Sequence, residues 1–222
     1  MIERIQVVGA GRVGSALAER LAEAGLAVGA DDDPELVLLC VPDRAIPDAA
    51  VAVDSGPWVA HVSGATPLSA LDPHVRRFGL HPLQTFTSRR GAEQIDGASA
   101  AVTAESGAAS ELGFWVARQL GLKPFALADE SRDAYHAGAA IASNYLVTLR
   151  RAAGSLLESA GAPPEALDEL MRRTIENGFE LTGPISRGDW ATVDRHVAAI
   201  RRERPELEPM YVALADTTKA LL

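Results

Sequence analysis

The sequence predicts an α/β fold, in which a mostly parallel sheet is followed by an all-helical C-terminal domain. Three observations lead there. Short apolar runs alternate with helix-period stretches over the first half of the chain. A glycine-rich loop, Gly9-Ala-Gly-Arg-Val-Gly14, joins the first run to the first helix. From about Glu130 the strand signals stop and helical stretches follow one another. The expected division is residues 1–128 and 129–222.

The apolar runs are Ile5 to Val8, Leu36 to Val41, Trp58 to Val62, Phe78 to Leu80, Ala98 to Val102 and Pro124 to Leu127. Helical patterns are clearest over Val13 to Ala24 and Ala108 to Leu120. Strands alternating with helices imply parallel pairing with both faces covered.

The loop fits G-x-G-x-x-G, with a strand before it and an amphipathic helix after it. Gly9 permits the tight turn, Gly11 lets a pyrophosphate approach the backbone, and Gly14 lets helix and strand pack closely. The helix start then offers free N–H groups to phosphates. This is a Rossmann-like dinucleotide grip; a plain strand-to-helix turn is the structural alternative.

The stretch after the first helix is short. Residues 25–35 leave room for one short strand at most, where a full fold has a longer strand–helix–strand segment. Asp31, Asp32 and Asp33 fall near the spacing of a ribose-binding acid, or form a solvated turn. No arginine stands in this segment, so Arg12 is the only nearby partner for a 2′-phosphate. The expectation is weak nicotinamide binding, or binding without a sharp choice between NAD and NADP.

The whole chain sets limits. At 222 residues and net charge -9, it argues against nucleic acid and anionic membrane surfaces as partners. No apolar run approaches the roughly 18 residues of a membrane helix, and a strand by Ile5 leaves no room for a signal peptide, so a soluble, cytoplasmic protein is expected. The single cysteine, Cys40, reads as a small buried hydrophobe, and no metal is assigned.

Open parallel sheets bind ligands beyond the carboxyl ends of their strands. Polar groups at Val41-Pro42-Asp43, at His61 to Gly64, at His81 to Phe86, and at Thr103 and Glu105 are all assigned to that edge. The cofactor is expected across Gly9, Gly11, Arg12, Val13 and Gly14, with Pro42, Ser63 and Gly64 beside it. Pro82 restricts His81 to extended geometry, so its imidazole either bonds a neighbouring loop or contacts substrate or nicotinamide, where it is a catalytic candidate for supplying the proton. Gln84 adds polar groups for a substrate.

Ser131 to Gly161 reads as one long helix. On it His136, Ala140, Ser143 and Asn144 share a stripe. The stripe is either a hydrogen-bonded helix contact or a site wall, with His136 as proton donor and Ser143 and Asn144 toward substrate. Further helices are expected over Pro164 to Asn177, Asp189 to Arg202 with Asp189 as cap, and Glu206 to Leu222. In the interruption Leu181 to Asp189, Thr182 or Gly183 would cap a helix starting at Pro184, and Arg187, with His196, is the candidate for a substrate carboxylate. Alanine-rich long helices pack closely, so a homodimer through the helical domain is expected.

Taken in order, the glycine loop, VPD, HVSG, HPLQTF, YHAGAAIASN and LTGPISRGD resemble a bacterial family that pairs a Rossmann-like domain with a helical C-terminal domain of unknown function. Its members are described as candidate NADP-dependent oxidoreductases, in the superfamily of ketopantoate reductase, pyrroline-5-carboxylate reductase and 6-phosphogluconate dehydrogenase. The resemblance implies an NAD(P)H-dependent reductase, with NADP ahead of NAD. Its substrate would be a small carbonyl or imine bearing a carboxylate, with a 2-oxo acid such as ketopantoate first. Superfamily members carry a lysine and an asparagine on the first long helix of the second domain. Here Asn144 matches the asparagine, while the two lysines, Lys123 and Lys219, lie elsewhere and His136 would act instead. The shortened segment keeps a second reading open: a binding or regulatory module that has lost its nicotinamide.

Overall fold

A computed structural model describes residues 2–29 and 33–222. Asp31 and Asp32, the first two of the candidate ribose acids, lie outside the described residues. Seven strands form one sheet among the described residues: β1 (Arg4–Val8), β2 (Ala27–Val28), β3 (Leu36–Leu39), β4 (Trp58–His61), β5 (Arg77–Leu83), β6 (Ser99–Ala104) and β7 (Lys123–Ala126). Their spatial order is β2-β1-β3-β4-β5-β6-β7. The fold is the expected Rossmann-like one, and the short strand expected before residue 35 is β2, two residues long.

β3 lies inside the sheet between β1 and β4, and all four of its residues are fully buried. Its continuous apolar sequence follows from cover on both faces. On one face Leu36 and Leu38 pack with Ile5, Leu17, Leu21 and Phe78, under α1 (Arg12–Glu23) and α3 (Gly107–Gln119). On the other, Val37 and Leu39 pack with Ile46 and Ala50 of the short α2 (Ile46–Val51).

One pairing departs from the parallel pattern, and it reverses both β6 and its parallel neighbour β7. β6 runs antiparallel to β5, with Leu83 opposite Ser99 and Phe78 opposite Ala104. The link from Leu83 to Ser99 holds only a 3₁₀ turn, Ala92–Ile95, and no helix to carry the chain back across the sheet, which parallel pairing requires. β6 therefore runs away from the carboxyl ends of β1, β3 and β4: Thr103, opposite Gly79, is still level with His61 at the end of β4, and Glu105 lies further toward the amino edge. The assignment of Glu105 to the ligand edge is corrected, since it accepts from Arg77 Nε at 2.9 Å, at the amino end of β5.

By its internal contacts the chain divides into two units, Met1–Ile141 and Ala142–Leu222. The helix expected over residues 131–161 is α4 (Arg132–Ala140), a π-helical turn (Ile141–Tyr145) and α5 (Leu146–Ser159). The α-helical spacing that would align His136, Ala140, Ser143 and Asn144 holds only as far as Ala140, because a π-turn adds a residue to the turn. The second unit continues with α6 (Ala166–Glu176), α7 (Trp190–Glu203) and α8 (Glu208–Ala220). Asp189 caps α7 as expected, accepting from Thr192 N–H at 3.1 Å. Residues 184–188 form turns instead of the helix expected at Pro184.

Ser106 caps α3, its hydroxyl accepting from Ala109 N–H at 3.2 Å. Ser106→Ala is expected to lower stability by about 1 kcal/mol and Ser106→Gly by only a few tenths, measured by urea unfolding.

Candidate active site at the carboxyl edge of the sheet

The glycine loop is built by close approach to β3. A Cβ on Gly9, whose φ is 111°, would stand 2.5 Å from the Cys40 carbonyl oxygen. A Cβ on Gly14 would stand 1.9 Å from the Gly9 carbonyl oxygen. Both positions exclude any side chain, and the result is a strand-to-helix turn drawn tightly against its neighbour. Gly11 differs, since nothing lies within 4 Å of its Cβ position. No side chain caps α1, so its first N–H groups are left to solvent or ligand. Arg12 lies exposed on that first turn. Cys40 beneath is partly buried, and desolvation pushes its thiol up to about 12.

Asp33, the described member of the acidic triplet, is occupied. Its carbonyl accepts from Arg4 Nε at 2.8 Å and its carboxylate from Arg4 Nη2 at 3.3 Å. Pro42 and Asp43 are exposed after β3, at the start of a 3₁₀ turn (Asp43–Ala45).

Past β4 and along β5 the side chains converge. His61 is fully buried, and its Nδ1 accepts from Ser63 N–H at 3.3 Å. The Ser63 hydroxyl accepts from Ala65 and Thr66 N–H, at 3.3 and 3.0 Å, which folds the strand end into a turn. The Ser63 carbonyl accepts from Arg132 Nη1 at 3.0 Å. Arg132 is 3% exposed and pairs through Nε with Asp129 at 2.7 Å. Asp129 in turn accepts from Leu68 N–H at 3.1 Å. A Cβ on Gly79 would lie 2.1 Å from Arg132 Nη2, so the guanidinium occupies space that only glycine leaves. Arg132 Nη2 and His61 Nε2 have no hydrogen-bond partner among the described residues.

One turn further along α4 stand Tyr135 and His136. Tyr135 Oη lies 2.6 Å from His81 Nδ1. The His81 and His136 rings meet edge to face with centroids 6.3 Å apart. Gly64 sits between them: its Cβ would lie 2.9 Å from His81 Nε2 and 3.0 Å from His136 Cδ2. The structure thus brings His81, His136, Ser63 and Gly64 together. Gln84 is turned to the chain itself, donating to the Gln94 carbonyl at 2.8 Å and accepting from Thr85 N–H at 2.8 Å.

Ser143, Asn144 and Arg187 belong to the second unit. There Arg187 donates to the Thr182 carbonyl and holds its own loop. His196 bonds Tyr211 Oη at 2.8 Å beside a cavity of about 260 Å³ lined also by Leu181, Pro184 and Ser186. Among the described residues no group of three or more His, Cys, Asp or Glu is placed to hold a metal, and no helix is long and apolar enough to cross a membrane.

The residues that sequence reasoning missed are Arg132, Asp129, Tyr135 and the burial of His61. Arg132 and Asp129 have the i,i+3 spacing of an ordinary surface pair. A polar residue inside the apolar run Trp58 to Val62 was the one available signal for His61. A cavity of about 1170 Å³ opens at the other edge of the sheet, beside Glu35, Pro57 and Arg76, which precede strands. It contains neither the glycine loop nor the histidines, so the converging groups, not the roomier hollow, define the candidate site.

Electrostatics fit a dry site. Burial, with Arg132 nearby, lowers His61 to about 3. Burial, then His136 and Arg132, lower His81 to about 4, against a smaller opposing effect of Asp43. Both imidazoles are neutral at pH 7. Burial pushes the Tyr135 phenol up to about 12.

A family model and several solved structures match the chain. The chain belongs to the family described as a domain of unknown function (DUF2520), matched over residues 98–218, more than half its length. No curated protein matches it. Among solved structures, a candidate NADP oxidoreductase from Bacteroides fragilis is similar over 97% of both chains, at 19% identity and TM-score 0.78. A protein from Thermotoga maritima is similar over 96% of both, at 23% identity and TM-score 0.77. A reductive aminase from Aspergillus terreus, solved with NADPH and ethyl levulinate, is similar over 98% of this chain and 93% of its own, at 16% identity and TM-score 0.66. At these identities the likeness concerns the fold alone.

Two predictions follow from the buried groups. Arg132→Ala leaves Asp129 and the Ser63 carbonyl without their cation and should cost about 3 kcal/mol in chemical unfolding. The two depressed histidines make stability depend on acid. In the unfolded chain they take up protons near pH 6.5, and in the folded chain only near 4 and 3. Their contribution is therefore whole above about pH 7, falls as pH drops below about 6.5, and levels off below the folded values. For His81 the loss is roughly 3 kcal/mol. Unfolding free energy measured from pH 7 to 4 should show it, and His81→Gln should reduce the slope.

Proposed function

We propose that the protein is an NAD(P)H-dependent reductase of a small carbonyl or imine substrate bearing a carboxylate, with 2-oxo acids such as ketopantoate the first to try. The observation that carries this reading is the pairing of an open glycine cradle with two imidazoles over Gly64 on the same sheet edge. The cradle suits a pyrophosphate: Gly9 and Gly14 are closed to side chains, the Gly11 position is open, and the helix start is uncapped. Gly9, Gly11, Arg12, Val13 and Gly14 would hold the phosphates, with Pro42, Ser63 and Gly64 toward the nicotinamide. When bound, the nicotinamide supplies the hydride equivalent. The chain's own part is to exclude water, orient the electrophile and deliver a proton. His136, exposed, or the half-buried His81 beside it supplies the proton in this reading.

From the resemblance come the remaining roles. NADP stands ahead of NAD, with Arg12, exposed on the first turn of α1, as the candidate for the 2′-phosphate. Residues 1–128 act as the dinucleotide-binding part, and 129–222 as the substrate and dimerisation part. Asn144 and Ser143 orient substrate, Arg187 takes its carboxylate, and Gln84 contributes where its present bonds to Gln94 and Thr85 are exchanged. A homodimer through the second unit is supported by its exposed apolar residues, among them Tyr145 (58%), Val147 (52%), Leu170 (61%) and Phe179 (69%). Light scattering at micromolar concentration should give twice the monomer mass.

Titration with NADPH and NADH tests the reading. A micromolar dissociation constant for either is expected, and no binding at millimolar concentration in the folded protein would instead favour a module that has lost its nicotinamide. Gly11→Ala should lower stability only by the difference between glycine and alanine at an N-cap, under about 1 kcal/mol, since its Cβ meets nothing, yet weaken the nucleotide by about tenfold or more, close to 1.4 kcal/mol. His136→Ala should lower turnover strongly with nucleotide affinity nearly intact; unchanged turnover removes His136 from the mechanism.

A further inference from the structure

We propose that Tyr135 is a positioning residue that fixes His81 in the tautomer carrying its proton on Nε2, so that His81 presents a neutral hydrogen-bond donor to the space over Gly64. The occupant of that space, a substrate carbonyl oxygen, rests on the reductase reading; the tautomer lock rests on the geometry of the free protein.

The argument begins with hydrogen counting. A neutral imidazole has one donor and one acceptor nitrogen, and a phenol has one hydrogen to give. Tyr135 Oη lies 2.6 Å from His81 Nδ1 and has no other hydrogen-bond partner among the described residues. If Nδ1 held the proton, the phenol hydrogen would be left in a half-buried place with no acceptor. If the phenol donates to Nδ1, every hydrogen on that side is used, and the imidazole proton goes to Nε2. Burial favours the un-ionised forms that this arrangement needs, with the phenol pushed up to about 12 and the imidazole down to about 4.

Tyr135 is itself held in place. Its ring meets His81 edge to face at 5.5 Å and Phe125 of β7 at 6.0 Å. Three residues earlier, buried Arg132 ties the start of α4 to the Ser63 carbonyl. Pro82 denies His81 the helical backbone region, so the ring is gripped from both ends.

The free end of His81 has a direction. A Cβ on Gly64 would lie 2.9 Å from both Cε1 and Nε2, so this edge of the ring faces the space that the missing side chain leaves. Nε2 has no hydrogen-bond partner among the described residues. Across the same space lies His136, 3.0 Å from that Cβ position through its Cδ2. A neutral N–H aimed there suits an oxygen that gains negative charge, because the donor needs no proton from solvent and is already oriented. It offers nothing to a protonated imine, which has no lone pair to accept. The arrangement thus favours oxo substrates over iminium ones within the proposed reaction.

The test is the tautomer of His81, read from ¹⁵N chemical shifts and long-range ¹H–¹⁵N couplings in labelled protein free of nucleotide. In the wild-type protein at pH 7, the expected result is a pyridine-like Nδ1 and a pyrrole-like Nε2. In Tyr135→Phe, with an unchanged fold by circular dichroism, the same ring should move to a mixture of tautomers. A wild-type spectrum with the proton on Nδ1 overturns the proposal, and that measurement stands even where the variant fails to fold. A Tyr135→Phe spectrum identical to wild type overturns it as well. Neither result depends on nicotinamide binding, so loss of the reductase reading and loss of the tautomer lock are separately visible.

Discussion

The buried guanidinium of Arg132 is the contact on which the candidate site depends. It carries a positive charge into a place 3% exposed, and such a charge is tolerated only when paired and hydrogen-bonded. Asp129 supplies the counter-charge and the Ser63 carbonyl a second acceptor. Gly79 gives up its side chain to make the room. Through these bonds the end of β4, the middle of β5 and the start of α4 meet at one point. Everything that converges over Gly64 is attached to one of those three elements.

Desolvation is the second consequence of that cluster. The same crowding that shelters Arg132 also keeps His61 and His81 uncharged, because an additional cation beside the guanidinium would be repelled as well as dehydrated. His61 serves the local turn, accepting from Ser63 N–H, while His81 keeps one edge free. Two imidazoles in neighbouring strands thus have different jobs: one holds the backbone, and the other faces the ligand space.

Much of the fold was legible in the sequence because its signals are local. The glycine spacing at residues 9–14, the buried run of β3, the shortness of residues 25–35 and the Asp189 cap each depend on a few neighbouring residues. His81 and Gly64 were legible as polar or small positions at strand ends. The rest depended on distance in space. Arg132 looks like any charged residue on a helix until β5 closes over it. Tyr135 is overshadowed in sequence by His136, which follows it. The reversed β6 is written in an absence, a link of fifteen residues with no crossover helix. The π-turn has no marker residue, and it changes the spacing on which the stripe from His136 to Asn144 was read.

That reversed strand bears on what the family region is. The family match begins at Ala98, one residue before β6. Yet β6 is paired along its whole length with β5, and Val102, Val116 and Ala117 share one apolar cluster with Ile5, Leu36 and Phe78. A fragment starting at residue 98 would keep two strands and a helix torn from a sheet whose other five strands it lacks. Its β6 would display an open row of backbone donors and acceptors beside a bare apolar face, the form of edge that invites aggregation. The boundary drawn by sequence kinship therefore runs through the middle of a folding unit. The strands of the matched region become a structure only together with those encoded before them.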